Sequence, residues 1–170
     1  MKGKAYKDRI AEELTRRVNP THFVTLSLIQ ARSIASGKAE AWAKGDDVIY
    51  QAAYDGFVRS LSKRSVSPRV WKRHKPILPS YGSIEGDGSN TLHHLHLAIS
   101  KPSCWTEFEW ENALRLTALG NPWIKNGSYA LNIEKLPDSA AKFRAGRYIL
   151  KGGADRLCLT GTFQGAATSH

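Results

Sequence analysis

Residues 80–99 read SYGSIEGDGSNTLHHLHLAI, a stretch with two strand-like halves around a glycine-rich centre. The centre, GDGSN at residues 86–90, contains the Gly, Asp and Asn residues that favour tight turns. Because a short turn joins strands that run in opposite directions, the stretch predicts a β-hairpin and hence an antiparallel sheet. A two-residue loop at Gly88 and Ser89 would be one such turn.

The second half of this hairpin divides its side chains between two faces, since successive residues of a strand point in opposite directions. One face carries His93, Leu95, Leu97 and Ile99. This mainly apolar face should contact the core, which makes His93 a structural residue rather than a ligand. His94 and His96 project from the opposite face, two residues apart.

An acidic residue on the first strand joins the two histidines when the hairpin loop has an even number of residues. Paired positions then sum to an odd number, so Glu85 falls on the face of His94 and His96. Two imidazoles and a carboxylate can bind a divalent metal ion and leave positions open for water or substrate. A three-residue loop would remove Glu85, and the histidines could equally be hydrogen-bonded surface or core residues.

Two other segments have strand patterns. In residues 22–28, HFVTLSL, Phe23, Thr25 and Ser27 lie on the face opposite the core. Residues 128–136, SYALNIEKL, carry on one face Tyr129, Leu131 and Ile133. Helical spacing and capping residues predict helices over residues 6–18, 50–61, 106–119 and 138–153. Residues 29–45 have no clean period and are expected to form a loop or a broken helix.

This order of strands and helices lacks regular βαβ alternation and predicts an α+β fold, a two-layer sandwich of an antiparallel sheet backed by helices. The 170 residues, 41% of them hydrophobic, suit one domain. The net charge of +10 favours a polyanionic partner such as nucleic acid or an acidic membrane surface, although a merely soluble basic protein fits as well. Without a long apolar run or a signal peptide, the chain is expected to be cytoplasmic, or nuclear in a eukaryotic host.

Cations surround an aromatic side chain in residues 63–75, KRSVSPRVWKRHK. Such a segment suits a nucleic acid, because cations contact phosphates and an aromatic ring stacks on bases. The candidate DNA-binding residues here are Arg69, Trp71, Lys72, Arg73 and Lys75. A solvated basic edge is the alternative.

Tyr148 and Lys151 lie three positions apart on the last predicted helix and are therefore neighbours on one flank. A phenol is a poor nucleophile at its usual pKa of about 10. Attack on phosphorus would need a metal on the phosphate and a nearby cation, which Lys151 could supply. The alternative is an amphipathic tyrosine packed at a helix edge.

Three motifs, in this order, resemble those of the HUH endonucleases, in particular the nicking domains of rolling-circle replication initiators. HFVTLSL resembles the first motif, a hydrophobic strand that contains Thr. HHLHLAI resembles the His-hydrophobic-His motif, through His94 and His96. YILK resembles the Tyr-x-x-Lys motif of the single-tyrosine class, through Tyr148 and Lys151. The resemblance covers about residues 22–152.

The resemblance implies a five-stranded antiparallel sheet, related to the RNA-recognition motif, with the site on its exposed face. It implies that Mg²⁺ or Mn²⁺ is held by His94, His96 and Glu85. Tyr148 would attack a phosphate of single-stranded DNA at an origin or hairpin and form a 5′-phosphotyrosine link, with Lys151 stabilising the phosphate. Beyond the basic segment, the residues expected to contact DNA are Thr25, Ser27 and Arg144.

On this interpretation residues 22–160 form the nicking domain, after an N-terminal helix or extension over residues 1–21 and before a flexible tail over residues 161–170. A host replication helicase or polymerase is a further implied partner. Single-tyrosine transposases and mobilisation relaxases share the chemistry and differ in target DNA. Two other classes stay open: a non-catalytic single-stranded nucleic-acid-binding module, and a histidine-based phosphoesterase that forms no covalent intermediate.

Overall fold

The structure, a computed structural model, describes residues 2–29, 47–86, 92–127, 129–153 and 156–159. The helices in these ranges are α1 (Lys2–Val18), α2 (Asp47–Arg64), α3 (Pro68–His74), α4 (Glu107–Leu119) and α5 (Ser139–Ile149). The strands there are β1 (His22–Ser27), β2 (Ser80–Glu85), β3 (His94–Ile99), β4 (Leu131–Lys135) and β5 (Leu157–Leu159). None of the described helices has the length and apolar character needed to cross a lipid bilayer. The predicted loop over residues 29–45 and the predicted tail lie almost wholly outside these ranges.

The described strands form one antiparallel sheet in the order β4-β1-β3-β2-β5. The predicted α+β fold is therefore confirmed, with the histidine strand β3 at its centre. The fifth strand, β5, is not predicted by the sequence pattern. It has three residues, LCL, which pair with β2. A run of three residues is too short to show the alternation of polar and apolar side chains that identifies a strand.

The pairing of β2 with β3 places Glu85 opposite His94. The two positions sum to an odd number, so the prediction that Glu85 shares the histidine face is confirmed. A two-residue loop at Gly88 and Ser89 would pair Glu85 with Leu92, so the observed register is not the one that this loop would set. The regular pairing ends at Glu85 and His94, and residues 86–93 connect the two strands. Residues 87–91 of this connection lie outside the described ranges.

One face of the sheet packs against α2 and α4 and forms the main hydrophobic core. The strand residues in this core include Val24, Leu26, Leu95, Leu97 and Ile99, all with no exposed surface. Each such burial contributes roughly 1.5–3 kcal/mol to folding. His93 is also buried, at 5% exposure, as its predicted structural role requires. The core therefore lies on the side of the sheet away from His94 and His96.

The other face of the sheet packs in part against α1 and α5, which form a second hydrophobic cluster. Tyr81 of β2 is fully buried there, with its hydroxyl 3.4 Å from Thr15 Oγ1 of α1. Gly146 lets α5 approach closely, because a Cβ at this position would lie 3.2 Å from the Tyr81 hydroxyl. At the other end of β2, Glu85 keeps 33% of its side chain exposed. The helices thus cover one end of this face and leave the other end accessible.

The strand predicted over residues 128–136 begins later than expected, at Leu131. The pattern predicts that Tyr129 faces the same way as Leu131 and Ile133, but Tyr129 lies in the preceding turn and is 97% exposed. Gly127 occupies that turn with φ of 140°, a conformation that glycine adopts without strain. Leu131 and Ile133 pack against the main core.

Gly82 of β2 occupies a position where a side chain would collide with the neighbouring strand. A Cβ there would lie 2.5 Å from the His96 carbonyl oxygen and 3.1 Å from Tyr54 Cε2. We expect Gly82→Ala to lower the free energy of unfolding by about 1–3 kcal/mol, because the backbone has to shift. Gly56→Ala is the control, since its Cβ would lie 3.7 Å from the nearest atom and should stabilise α2 by roughly 0.5–1 kcal/mol. Urea unfolding measures both, and equal effects would contradict the expected clash.

His22 is a buried histidine that links the stability of the fold to pH. Its Nε2 lies 3.1 Å from Glu107 Oε2, and its Nδ1 lies 2.9 Å from Thr21 Oγ1. Burial lowers the pKa of His22 below its usual value, while the hydrogen bond with Glu107 opposes this shift, and Lys135 and Lys101 add to it. Below about pH 6.5 the unfolded chain takes up a proton on His22 that the folded chain resists. The free energy of unfolding should therefore fall as the pH falls, until the folded-state pKa is reached.

The variant His22→Gln should show a weaker pH dependence than the wild type below about pH 6.5, because the group that takes up the proton is gone. One such site contributes at most about 1.4 kcal/mol per pH unit. His96 also has a pKa lowered by burial, so part of the wild-type dependence should remain in the variant. Urea unfolding at a series of pH values gives the two profiles, and parallel profiles would exclude His22 as a source.

Candidate catalytic site

A carboxylate on β2 has three polar neighbours at the accessible end of the sheet. His96 Nε2 lies 2.9 Å from Glu85 Oε2, and the Tyr148 hydroxyl donates to the same oxygen at 3.0 Å. Lys151 Nζ donates to Glu85 Oε1 at 3.0 Å. The structure therefore brings together the predicted nucleophile, its predicted cation, the predicted acid and one of the two predicted histidines. They come from two neighbouring strands, from α5 and from the single turn of 3₁₀ helix that follows it, Leu150–Gly152.

The surroundings set the charge state of these groups. The hydrogen bond from Lys151 lowers the pKa of the Glu85 carboxyl, and the contacts with Tyr148 and His96 act in the same direction. Burial lowers the pKa of His96, which favours the neutral imidazole that binds metal ions. Burial also raises the pKa of Tyr148, and the neighbouring Glu85 raises it further. The site therefore contains a charged carboxylate, a neutral imidazole and a protonated phenol at neutral pH.

His96 is held in one orientation by its neighbours on β1. Thr25 lies opposite His96 in the sheet, and its Oγ1 is 3.1 Å from His96 Nδ1. This contact leaves Nε2 as the ring nitrogen that faces Glu85. A hydrogen-bonding group on the second nitrogen is the usual way in which a metal-binding histidine is oriented. Thr25, which the sequence predicts to contact DNA, thus lies where it orients His96.

Phe23 is a site residue that the motif comparison missed. Its ring stacks on His96 with centroids 5.7 Å apart and planes 12° apart, and it meets the Tyr148 ring edge-on at 5.7 Å. The His96 and Tyr148 rings are themselves 5.0 Å apart. Alternation in HFVTLSL predicts that Phe23 shares the face of Thr25, but it does not indicate a contact with His96 or Tyr148. Phe23 therefore fixes the separation of the candidate ligand and the candidate nucleophile.

The helix that carries Tyr148 is anchored by α1. Asp8 forms an ion pair with Arg147, and Lys7 Nζ donates to the Lys151 carbonyl oxygen at 3.2 Å. Ile149 is buried beneath the helix end. Tyr148 itself is 43% exposed, and its hydroxyl donates to Glu85. No sequence pattern indicates this anchoring, because contacts between distant helices leave no local signal.

The three predicted metal ligands are neighbours, although they do not form a ready site. His94 lies opposite Ser27, with its ring centroid 6.3 Å from that of His96. Among the described residues, no group of three His, Cys, Asp or Glu side chains is arranged to hold a metal ion. The donor chemistry nevertheless fits a divalent cation, because a neutral imidazole nitrogen faces a charged carboxylate oxygen with a second imidazole beside them. The Mg²⁺ or Mn²⁺ site stays a prediction.

The predicted DNA-binding residues divide into two groups. Arg144 is exposed and lies one helical turn before Tyr148, on the same flank of α5. The basic segment forms α3, which leads into β2 at Ser80, the end opposite Glu85. Ser80 and Glu85 are five residues apart in a strand, which corresponds to about 17 Å. The basic residues on α3, Arg69, Lys72 and Arg73, and Lys75 after it, are exposed, whereas Trp71 is half-buried. The basic segment is thus connected to the end of β2 that is opposite Glu85.

We compared the chain with protein-family models, with curated proteins and with solved structures, and found no match in any of them.

Proposed function

We propose that the chain is a metal-dependent enzyme that nicks and rejoins single-stranded DNA, with Tyr148 as its nucleophile. The observation that carries this proposal is the shared oxygen Glu85 Oε2, which faces His96 Nε2 at 2.9 Å and accepts from the Tyr148 hydroxyl at 3.0 Å. A candidate nucleophile and two candidate metal ligands thus meet at one atom. The accessible end of the sheet and the net charge of +10 support an extended polyanionic substrate.

In the proposed reaction the Tyr148 hydroxyl oxygen attacks phosphorus and forms a phosphotyrosine bond to the 5′ side of the nick. The bond from phosphorus to the 3′-oxygen breaks, the phenolic proton is released to water, and the 3′-oxygen takes up a proton to leave as a free hydroxyl. Lys151, 5.5 Å from the centre of the Tyr148 ring, favours the phenolate and the phosphate charge. A 3′-hydroxyl can reverse the reaction, so rejoining needs no ATP.

The residues that would hold Mg²⁺ or Mn²⁺ are His94, His96 and Glu85. When bound, such an ion supplies Lewis-acid polarisation of the phosphate oxygens. Thr25 and Phe23 keep His96 oriented toward Glu85, and Arg144 adds positive charge on the flank of the nucleophile. Initiation of rolling-circle replication is the role that the motif order favours, while transposition and plasmid mobilisation use the same chemistry.

The test is a denaturing gel with a panel of labelled hairpin-bearing oligonucleotides, the full chain and Mn²⁺. We expect a protein–DNA adduct that resists denaturant and that does not form when EDTA is present from the start of the reaction. Cleavage without an adduct would support the histidine-based phosphoesterase. Binding that survives EDTA, with neither cleavage nor adduct for any oligonucleotide, would support a non-catalytic binding module.

The position of α3 predicts a role in binding flanking DNA rather than in chemistry. The triple variant Arg69→Ala, Lys72→Ala and Arg73→Ala should reduce the slope of log K against log salt for single-stranded DNA by up to about 2, or about 0.7 for each phosphate that the variant no longer neutralises. Adduct formation at saturating DNA should change little, because the described contacts of Tyr148 are with Glu85, His96, Phe23 and Lys151 and not with α3. Fluorescence anisotropy at several salt concentrations measures the slope.

A charge-matched control removes three cations of α1. The control variant carries Arg9→Ala, Arg16→Ala and Arg17→Ala. If both triple variants change the slope equally, the effect comes from net charge alone and α3 is not a binding element.

A further inference from the structure

An apolar groove lies at the β4 edge of the sheet, between α4 and β4. Because α4 and Leu131 belong to the main core, the groove opens on the side of the sheet opposite His94 and His96. Its volume is about 340 Å³, within the range of about 300–1,000 Å³ that is typical of small-ligand pockets. Its apolar lining comes from Ala118, Leu119, Ala130 and Leu131. We call it the β4 groove. Leu119 is 62% exposed although it lies in this lining, so the groove offers apolar surface that the described fold leaves uncovered.

The charged residues of the β4 groove are both cationic. Arg115 and Lys125 line it and are exposed, and no acidic residue is among its described lining residues. Tyr129, which directly precedes the lining residue Ala130, is 97% exposed. Apolar surface, two cations and an exposed aromatic ring are the combination that binds an unpaired nucleotide, since the cations contact phosphates and the ring stacks on a base.

Backbone hydrogen bonds connect the β4 groove to the candidate site. Ser27 N donates to the Ala130 carbonyl oxygen at 2.8 Å, and Lys125 N donates to the Ser27 carbonyl oxygen at 2.8 Å. Ser27 in turn lies opposite His94. Strands in a sheet are about 4.8 Å apart, so the lining of the groove begins roughly 10 Å from the histidine strand. A DNA strand that crosses the sheet at His94 would reach the groove by passing round the β4 edge, two strands away.

We infer that the β4 groove binds one unpaired nucleobase of the DNA strand that Tyr148 attacks, with Arg115 and Lys125 contacting the adjoining phosphates. This inference rests on the proposed function and adds a base-binding position to it. A second groove at the start of α4, lined in part by Trp105 and Phe108, is less suited to DNA. Its lining includes Glu109, and it lies toward the opposite end of α4.

Two matched pairs of substitutions test the inference. Leu119→Glu places a negative charge in the β4 groove, whereas Leu116→Glu places the same charge in the second groove on the same helix. Tyr129→Ala removes the exposed ring beside the β4 groove, whereas Phe108→Ala removes a ring that is 78% exposed in the second groove. All these positions are largely exposed, so the variants should fold, and circular dichroism with a melting curve confirms it.

The measurement is fluorescence anisotropy with 5′-labelled dT20 in EDTA. Leu119→Glu and Tyr129→Ala should each weaken binding by about 5-fold to 100-fold, the effect of losing one stacked base, while both control variants should stay within about 2-fold of the wild type. A 20-mer that lacks all bases should bind the wild type more weakly than dT20, and Leu119→Glu should reduce this preference. Equal effects within each pair, or equal binding of dT20 and the abasic strand by the wild type, would overturn the inference.

The adduct assay on the same proteins separates this inference from the proposed function. If the wild type forms the adduct and the matched pairs behave alike, only the base-binding groove is wrong. If the pairs differ as expected but no adduct forms with any oligonucleotide, the β4 groove binds a base as inferred and the proposed nicking activity is wrong. If the wild type binds neither dT20 nor the hairpin panel, both fail.

Discussion

Tyr148→Phe should abolish the covalent protein–DNA adduct and lower nicking by at least about 10³-fold. The variant removes only the hydroxyl that would attack phosphorus. The ring keeps its edge-on contacts with Phe23 and His96, at 5.7 Å and 5.0 Å. Tyr148 is 43% exposed, and its hydroxyl donates to Glu85 at the surface, so the fold should be retained. Denaturing gel electrophoresis after incubation with Mn²⁺ and a labelled hairpin oligonucleotide measures the adduct.

Tyr6→Phe is the matched control, because Tyr6 is also an exposed tyrosine but lies on α1, outside the candidate site. It should form the adduct at the wild-type rate. DNA binding by Tyr148→Phe in EDTA should also match the wild type, which separates loss of chemistry from loss of substrate. Nicking by Tyr148→Phe at an unchanged rate would contradict the assignment of the nucleophile.

Glu85→Gln should lower nicking by more than about 100-fold and remove the response of the protein to Mn²⁺. The substitution keeps the size of the side chain but removes the negative charge that faces His96 and receives hydrogen bonds from Tyr148 and Lys151. A divalent ion would lose its anionic ligand, and the Lys151 ammonium would lose its partner. A metal ion at 100 times its dissociation constant stabilises a protein by about 2.7 kcal/mol. The wild type should therefore melt several degrees higher with Mn²⁺, and Glu85→Gln should not.

Glu12→Gln provides the control for the change in charge. Glu12 is an exposed acid on α1, outside the candidate site. This variant should keep both the Mn²⁺-dependent shift in melting temperature and the nicking rate. A full Mn²⁺-dependent shift in Glu85→Gln would exclude Glu85 as a metal ligand, whatever its effect on nicking.

The shared face of Glu85, His94 and His96 could be predicted because strand geometry has a fixed period. Side chains alternate along every strand, and antiparallel pairing fixes which positions face each other once the loop has an even number of residues. The prediction needed only this even number and not the turn itself. It therefore holds for the observed register, although a loop at Gly88 and Ser89 would have set a different one.

The position of the basic segment could not be predicted, because composition carries no information about distance. Its exposed cations match the expected DNA-binding chemistry, yet α3 joins β2 at the end opposite Glu85. The contacts that hold α5 against α1 could not be predicted either, because the sequence carries no information about the distance between the two helices. Asp8 and Arg147 are 139 residues apart in sequence, and only the folded chain brings them together.

The aromatic contacts of the site could be predicted from the sequence only in part. Alternation places Phe23 on the histidine face, but it does not show that the ring stacks on His96 at 5.7 Å and meets Tyr148 edge-on. Such packing depends on the depth at which α5 lies against the sheet. Tyr129 shows the opposite case, since alternation extended past the true start of β4 and assigned an exposed turn residue to a strand face.

The most direct test of the central claim is to locate the covalent bond by mass spectrometry. The wild-type adduct is digested with nuclease and trypsin, which cleaves after Arg147 and Lys151 and releases residues 148–151, YILK, as one peptide. We predict that the remaining nucleotide is attached to this peptide as a phosphotyrosine at Tyr148. A nucleotide on any other peptide, or nicked DNA that carries no protein at all, would contradict the account.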